Sequence, residues 1–117
     1  MPTHPHLTAL RQFAASLPET SEVEAWEHPT FRAGKKIFAT YAHHKGKHCI
    51  GCKQTKPDQE LLVTDPRIEV ASYVGKHGWI TIDIDLVDWD TIAELVERSY
   101  RLVALKRMVK ALDASQG

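Results

Sequence analysis

Trp79-Ile80-Thr81-Ile82-Asp83-Ile84-Asp85-Leu86 is the stretch whose reading decides the fold. Ile80, Ile82, Ile84 and Leu86 alternate with Trp79, Thr81, Asp83 and Asp85. A period of two, with one oily and one polar side, belongs to a strand whose sheet is covered on a single face. The cover follows at once. From Trp89 to about Leu112, the residues Ile92, Leu95, Val96, Leu102, Val103, Leu105, Met108, Val109 and Leu112 form a broad apolar stripe at helical spacing, which predicts one long helix. Asp88, or the Thr91 and Glu94 pair, supplies its cap. Acids gather early in it (Asp88, Asp90, Glu94, Glu97) and bases late (Arg98, Arg101, Lys106, Arg107, Lys110), the order a helix dipole favours.

Toward the N-terminus, Leu7, Leu10, Phe13, Ala14 and Leu17 share one face of a helix running from about Pro5 to Leu17, where Pro18 bars continuation. An acidic stretch with Glu19, Glu22, Glu24 and Glu27 leads through Trp26 to His28-Pro29. Strands are then predicted at Thr30–Ala33 and Lys36–Ala42, the second with Ile37, Ala39 and Tyr41 on one face and Lys36, Phe38 and Thr40 on the other. His44–Lys47, polar with a central glycine, reads as a hairpin tip, and His48–Lys53 as the returning strand. Thr55 and Pro57 open a short helix near Asp58–Val63. Ile68–Tyr73 and a loop at Gly75–Gly78 complete the path to Trp79. The predicted class is α+β: an antiparallel sheet with two longer helices packed on one face, plus a short helix.

The 117 residues suit one domain, spanning 1–117 with its core at about 5–112. An apolar fraction of 43% supplies one core, and no apolar run approaches the length needed to cross a bilayer. MPTHPHLTAL lacks the pattern of a secretory signal, and two cysteines do not make a disulfide framework. A cytoplasmic monomer with no membrane partner is expected. Fifteen Lys and Arg balance fifteen Asp and Glu, and the pI is about 7.1, against the values above roughly 9 common in nucleic-acid-binding domains.

Three segments carry a resemblance: His28-Pro29-Thr30-Phe31-Arg32 running into Lys36-Ile37-Phe38-Ala39, then Tyr73-Val74-Gly75-Lys76-His77-Gly78-Trp79, then Ser99-Tyr100-Arg101-Leu102-Val103. With the leading Leu17-Pro18, they make the chain similar to the MmcQ/YjbR family over about residues 5–110. The resemblance implies a frataxin-like (CyaY-like) α+β arrangement and a double-wing mode of DNA binding, in which hairpin tips flank a recognition surface. It departs from the family at Glu19, where a glycine is usual.

The charge balance is uneven along the chain. Between His28 and Pro57 stand seven Lys and Arg, four His and no acid. Arg32, Lys35, Lys36, Lys45 and Lys47 in this strip, with Lys76 on a third loop, are the candidate nucleic-acid-binding residues, read as binding without sequence preference. Phe31, Phe38 and Tyr41 are interleaved aromatics of the kind that stack on single strands. The bland alternative is a set of solvated strand faces whose lysines discourage edge pairing.

A second reading makes the chain a protein- or small-ligand-binding module without catalysis, using His77 and Trp79, since Trp79 faces away from the isoleucines of its own strand. Trp26, Trp79 and Trp89 otherwise read as core or core-edge residues. Cys49 and Cys52, with His43, His44, His48 or His77, have zinc-ligand chemistry, but residues three apart on a regular strand point to opposite faces. Asp83, Asp85, Asp88 and Asp90 have the chemistry to hold a metal loosely, as acidic ridges of frataxin-like proteins do, and a metal-handling protein through these or the cysteines is a third reading. Asp83 and Asp85 read first as the polar side of a strand and Asp88 as a helix cap. No G-x-S-x-G, H-E-x-x-H or P-loop is present, so no catalytic residue, cofactor or metal site is expected.

Overall fold

The computed structural model describes residues 4–44 and 46–116, without the side chain of His44. Its elements are α1 (Pro5–Ala15), β1 (Thr20–Ala25), β2 (His28–Ala33), β3 (Lys36–His44), β4 (Lys47–Lys53), α2 (Lys56–Leu62), β5 (Ile68–Val70), β6 (Trp79–Asp83), α3 (Trp89–Val103) and α4 (Lys106–Gln116), with one turn of 3-10 helix at Gly75–His77. The strands form one antiparallel sheet in the order β1-β2-β3-β4-β6-β5. α3 lies across β3 and β4, and α1 packs against β1 and α3. The predicted α+β class, with helices on one sheet face, is the class observed.

The core is the covered sheet face. Ile50 and Cys52 on β4 stand opposite Ile82 and Ile80 on β6, and all four are fully buried under Leu95, Val96 and Tyr100 of α3. Asp88 caps α3 by accepting from the Thr91 amide at 3.1 Å, and Thr55 caps α2 by accepting from the Asp58 amide at 3.2 Å. Both caps are those the sequence predicts.

Four features differ from the sequence reading. The register shifts between Phe31 and Arg32, which pair with Ala39 and Ile37. This bulge gives β3 one extra residue, so Phe38 and Ala39 both enter the core while Ile37 moves to the half-exposed face beside Arg32. Next, the acidic segment is a strand. β1 is an edge strand, mostly exposed on both faces, and so carries no apolar alternation. Then the long C-terminal helix is broken: Ala104 is extended at φ −69°, ψ 153°, and the chain turns there so that side chains near the end of α4 reach α3. Arg101 of α3 reaches Asp113 of α4 at 2.9 Å, across a separation of about 18 Å in a straight helix. The break buries Met108 and Leu112, which a straight helix would carry past the sheet. Finally, β6 stops at Asp83, whose carboxylate accepts from the Asp85 amide at 3.2 Å in a turn that leaves Leu86 exposed and gives its core place to Val87.

The resembling segments turn out to be joints of this architecture. The Ser99 hydroxyl donates to the Phe38 carbonyl at 2.6 Å, at the bulge, and accepts from the Lys53 amide at 2.8 Å. It thereby satisfies backbone groups that the irregular ladder leaves open. The Tyr100 hydroxyl donates to the Pro18 carbonyl at 2.7 Å, and its ring meets Phe38 edge-on at 5.4 Å. Gly78, at φ 95°, lies so close to β4 that an added Cβ would stand 2.1 Å from the Gln54 carbonyl oxygen. The buried Gln59 of α2 holds the same loop by donating to the carbonyls of Gly75 at 2.7 Å and Trp79 at 2.9 Å. Glu19 takes φ 57°, the left-handed region where glycine is at ease, and its carboxylate, held below its ordinary pKa by hydrogen bonds from Arg107, lies 2.8 Å from that guanidinium.

Candidate nucleic-acid interface

The antiparallel register sorts the candidate residues to two ends of the sheet. The β2–β3 turn, with Gly34 and Lys35, lies at one end of β3, and the β3–β4 turn lies at the other. Eight residue steps separate them, about 26 Å. Lys36, and Lys53 at the close of β4, share the first end with Lys76 and His77, because β6 begins opposite Lys53. Lys47 sits at the far end, 3.8 Å from the Asp83 carboxylate, and Lys45 lies outside the described residues. The structure thus groups Lys35, Lys36 and Lys76 with Lys53, a lysine the sequence reading did not single out, and sets Lys47 apart from them. Antiparallel pairing alone produces this sorting, and strand order is the signal that would have revealed it.

Charge pairing accentuates the difference. Arg11, Arg67, Arg98, Arg101 and Arg107 are all engaged with carboxylates. Among the described residues, Lys35, Lys36, Lys53 and Lys76 have no carboxylate within 4.0 Å, as is true also of Lys56, Lys106 and Lys110 on the helices. Arg32 projects between Ser21 and Ile37 on the half-exposed sheet face, with its Nε buried and without a partner. Between the lysines of the β2–β3 turn and the α3–α4 junction runs a groove of about 360 Å³. Ala33, Val103, Leu105 and Met108 give it an apolar lining, and Lys35, Lys36, Glu19 and Arg107 contribute charge.

The interleaved aromatics expected to stack on single strands lie in the core. Phe31, Phe38 and Tyr41 are buried, so none can stack on a base. The exposed rings lie elsewhere: Tyr73 is 98% exposed and held at φ 64°, and Trp26 is 81% exposed in the β1–β2 turn at φ 52°. Trp26 is therefore no core residue. Tyr73 belongs to the lysine end, because β5 reaches it through Val70, which pairs with Ile80. Its exposure was hidden in the sequence by the motif around it. Trp79 is half-buried on the open sheet face opposite Lys53, and His77 is exposed in the adjoining turn, so both border the same end.

Cys49 and Cys52 face opposite sides of β4. Cys52 is fully buried, and its thiol is pushed up to about 12 by that burial. Cys49 is half-buried beside Asp83, and burial raises its thiol as well. Both are kept as thiols at neutral pH, and they do not converge on a common ion. The opposite end of the sheet gathers His4, His6, His43 and His48. There partial burial, followed by the neighbouring His43 and His4, holds His48 below its ordinary pKa.

A family model described as YjbR matches residues 15–102. Among solved structures, the chain is similar to a Deinococcus radiodurans protein with a domain described as DUF419, at 22% identity and a TM-score of 0.75, covering 92% of this chain and 87% of that one. It is also similar to a Pseudomonas syringae protein at 20% identity and a TM-score of 0.69, covering 81% of this chain and 96% of that one. At these identities the likeness is one of fold. No curated protein matches the sequence. No helix among the described residues is long and apolar enough to cross a membrane.

Proposed function

The chain belongs to the YjbR family, and from that premise we propose that it binds nucleic acid, preferring single strands and indifferent to sequence, through the lysine end of the sheet. The observation that carries the reading is the gathering of Lys35, Lys36, Lys53 and Lys76, none with a carboxylate partner among the described residues, at one end of the sheet in a domain of zero net charge. β3, β4 and β6 lie about 4.8 Å apart, so these lysines span about 10 Å across the sheet, enough to follow a few successive phosphates. The groove beside Lys35 and Lys36 offers an apolar surface to an unstacked base, and exposed Tyr73 offers a stacking platform. A duplex hides its base faces and would use only the charges. Binding of this kind is weak, with a Kd of roughly 10⁻⁴–10⁻⁶ M at physiological salt.

Charge reversal tests it. Lys35→Glu, Lys36→Glu, Lys53→Glu and Lys76→Glu together should abolish binding of a labelled oligothymidine while leaving the fold intact. Lys47→Glu at the far end should change affinity by less than about twofold, since that lysine already faces an acid. Tyr73→Ala should weaken single-strand binding by about 1–3 kcal/mol and leave duplex binding unchanged. Equal losses from the Lys47 variant and the quadruple variant would defeat the proposal.

A further inference from the structure

The histidine end of the sheet carries a donor set that the lysine end does not use. His4 precedes α1, His48 lies on β4 and Asp85 lies in the turn after β6, so three separate segments meet there. One nitrogen of each imidazole and one Asp85 oxygen lie within 4.8 Å of one another. His4 Nε2 stands 2.7 Å from Asp85 Oδ1. The other nitrogen of His4, Nδ1, accepts from the His6 amide at 3.0 Å, which places the ring proton on Nε2, shared with Asp85. His48 is held on two sides, by a hydrogen bond between its Nδ1 and the Tyr41 hydroxyl and by parallel stacking on His43 at 3.9 Å.

We propose that His4, His48 and Asp85 bind a divalent transition-metal ion of the zinc class, with a further position open to water. Two imidazoles and one carboxylate are a donor set that zinc accepts, and they suit calcium or magnesium poorly, since those ions take oxygen ligands. Zinc bonds of about 2.0–2.2 Å put tetrahedral ligands about 3.3 Å apart. The His4–Asp85 contact therefore opens by about half an ångström while His48 closes in. Asp85 is exposed and His4 precedes the first helix, so neither movement disturbs the core. Binding replaces the Nε2 proton of His4, which is released to solvent. With His48 Nδ1–H donating a hydrogen bond to the Tyr41 oxygen, Nε2 would be left as the metal donor and the ring held fixed, as partners of metal-bound histidines do. The amide of His6 and the stack of His43 hold the rings in place before any ion arrives.

The test uses the chain without an affinity tag and titrates it with Co²⁺, read by its visible d–d absorption, then with Zn²⁺ in competition. One ion per chain is expected, without a thiolate charge-transfer band, and with displacement by Zn²⁺ but not by Ca²⁺. His4→Gln and Asp85→Asn should each weaken binding by about tenfold or more. His77→Gln, at the other end of the sheet, and Cys49→Ser should leave it unchanged. No saturable uptake below about 1 mM Co²⁺, unchanged affinity in both the His4 and Asp85 variants, or a thiolate band lost in Cys49→Ser would each overturn the assignment.

Discussion

Gly78→Ala is expected to destabilise the domain by more than about 3 kcal/mol, a large share of the roughly 5–15 kcal/mol typical of such domains. Two effects coincide. At φ 95° an L side chain is strained, and the new methyl would stand 2.1 Å from the Gln54 carbonyl oxygen, a backbone atom with no rotamer to change. The Gln54 amide donates to the Gly78 carbonyl at 2.9 Å, so separating the two chains would also cost that bond. Gly46→Ala is the control: its φ is 78°, but nothing lies within 4 Å of the added carbon, so only the strain of about 1–2 kcal/mol remains. Urea unfolding of both variants gives the comparison. Equal midpoints would mean that the Gly78 loop does not pack on β4 as described.

Ser99→Ala should cost about 2–4 kcal/mol, more than deleting one surface hydroxyl, because the one oxygen serves two backbone groups. Removing it leaves the buried Phe38 carbonyl and the Lys53 amide without a partner at the point where the bulge interrupts the ladder. Ser115→Ala, on the exposed face of α4, should stay within about 0.5 kcal/mol. A Ser99 variant as stable as the Ser115 variant would remove the hydroxyl from its proposed place in the bulge.

Gly78 and Ser99 both belong to the family pattern. The resembling residues Leu17-Pro18, Phe38, Gly75, Gly78, Ser99 and Tyr100 are closures between strand, loop and helix. They specify the frame and leave the chemistry to other positions.

What was legible follows the same physics. β6 and α3 announce themselves because one face of each is buried, so period two and helical spacing survive in the sequence. The caps at Thr55 and Asp88 were legible because a cap is a local bond. β1 was not, since an exposed edge strand needs no apolar face. The break at Ala104 carries neither proline nor glycine; it is imposed by burial of Met108 and Leu112 and by the Arg101–Asp113 pair, all tertiary. The lysines were visible as charges, but their division between two ends depends on strand direction. The His4, His48 and Asp85 set comes from three distant segments and has no local signature.

The salt dependence of single-strand binding tests the central claim most directly. A labelled oligothymidine titrated at 50 and 200 mM monovalent salt should lose about 50-fold in affinity, from about four phosphate contacts at a slope near −0.7 per contact. That result would match the four lysines of one sheet end. Absence of binding at 50 mM salt, or an affinity that salt leaves unchanged, would contradict a lysine-borne nucleic-acid interface on this domain.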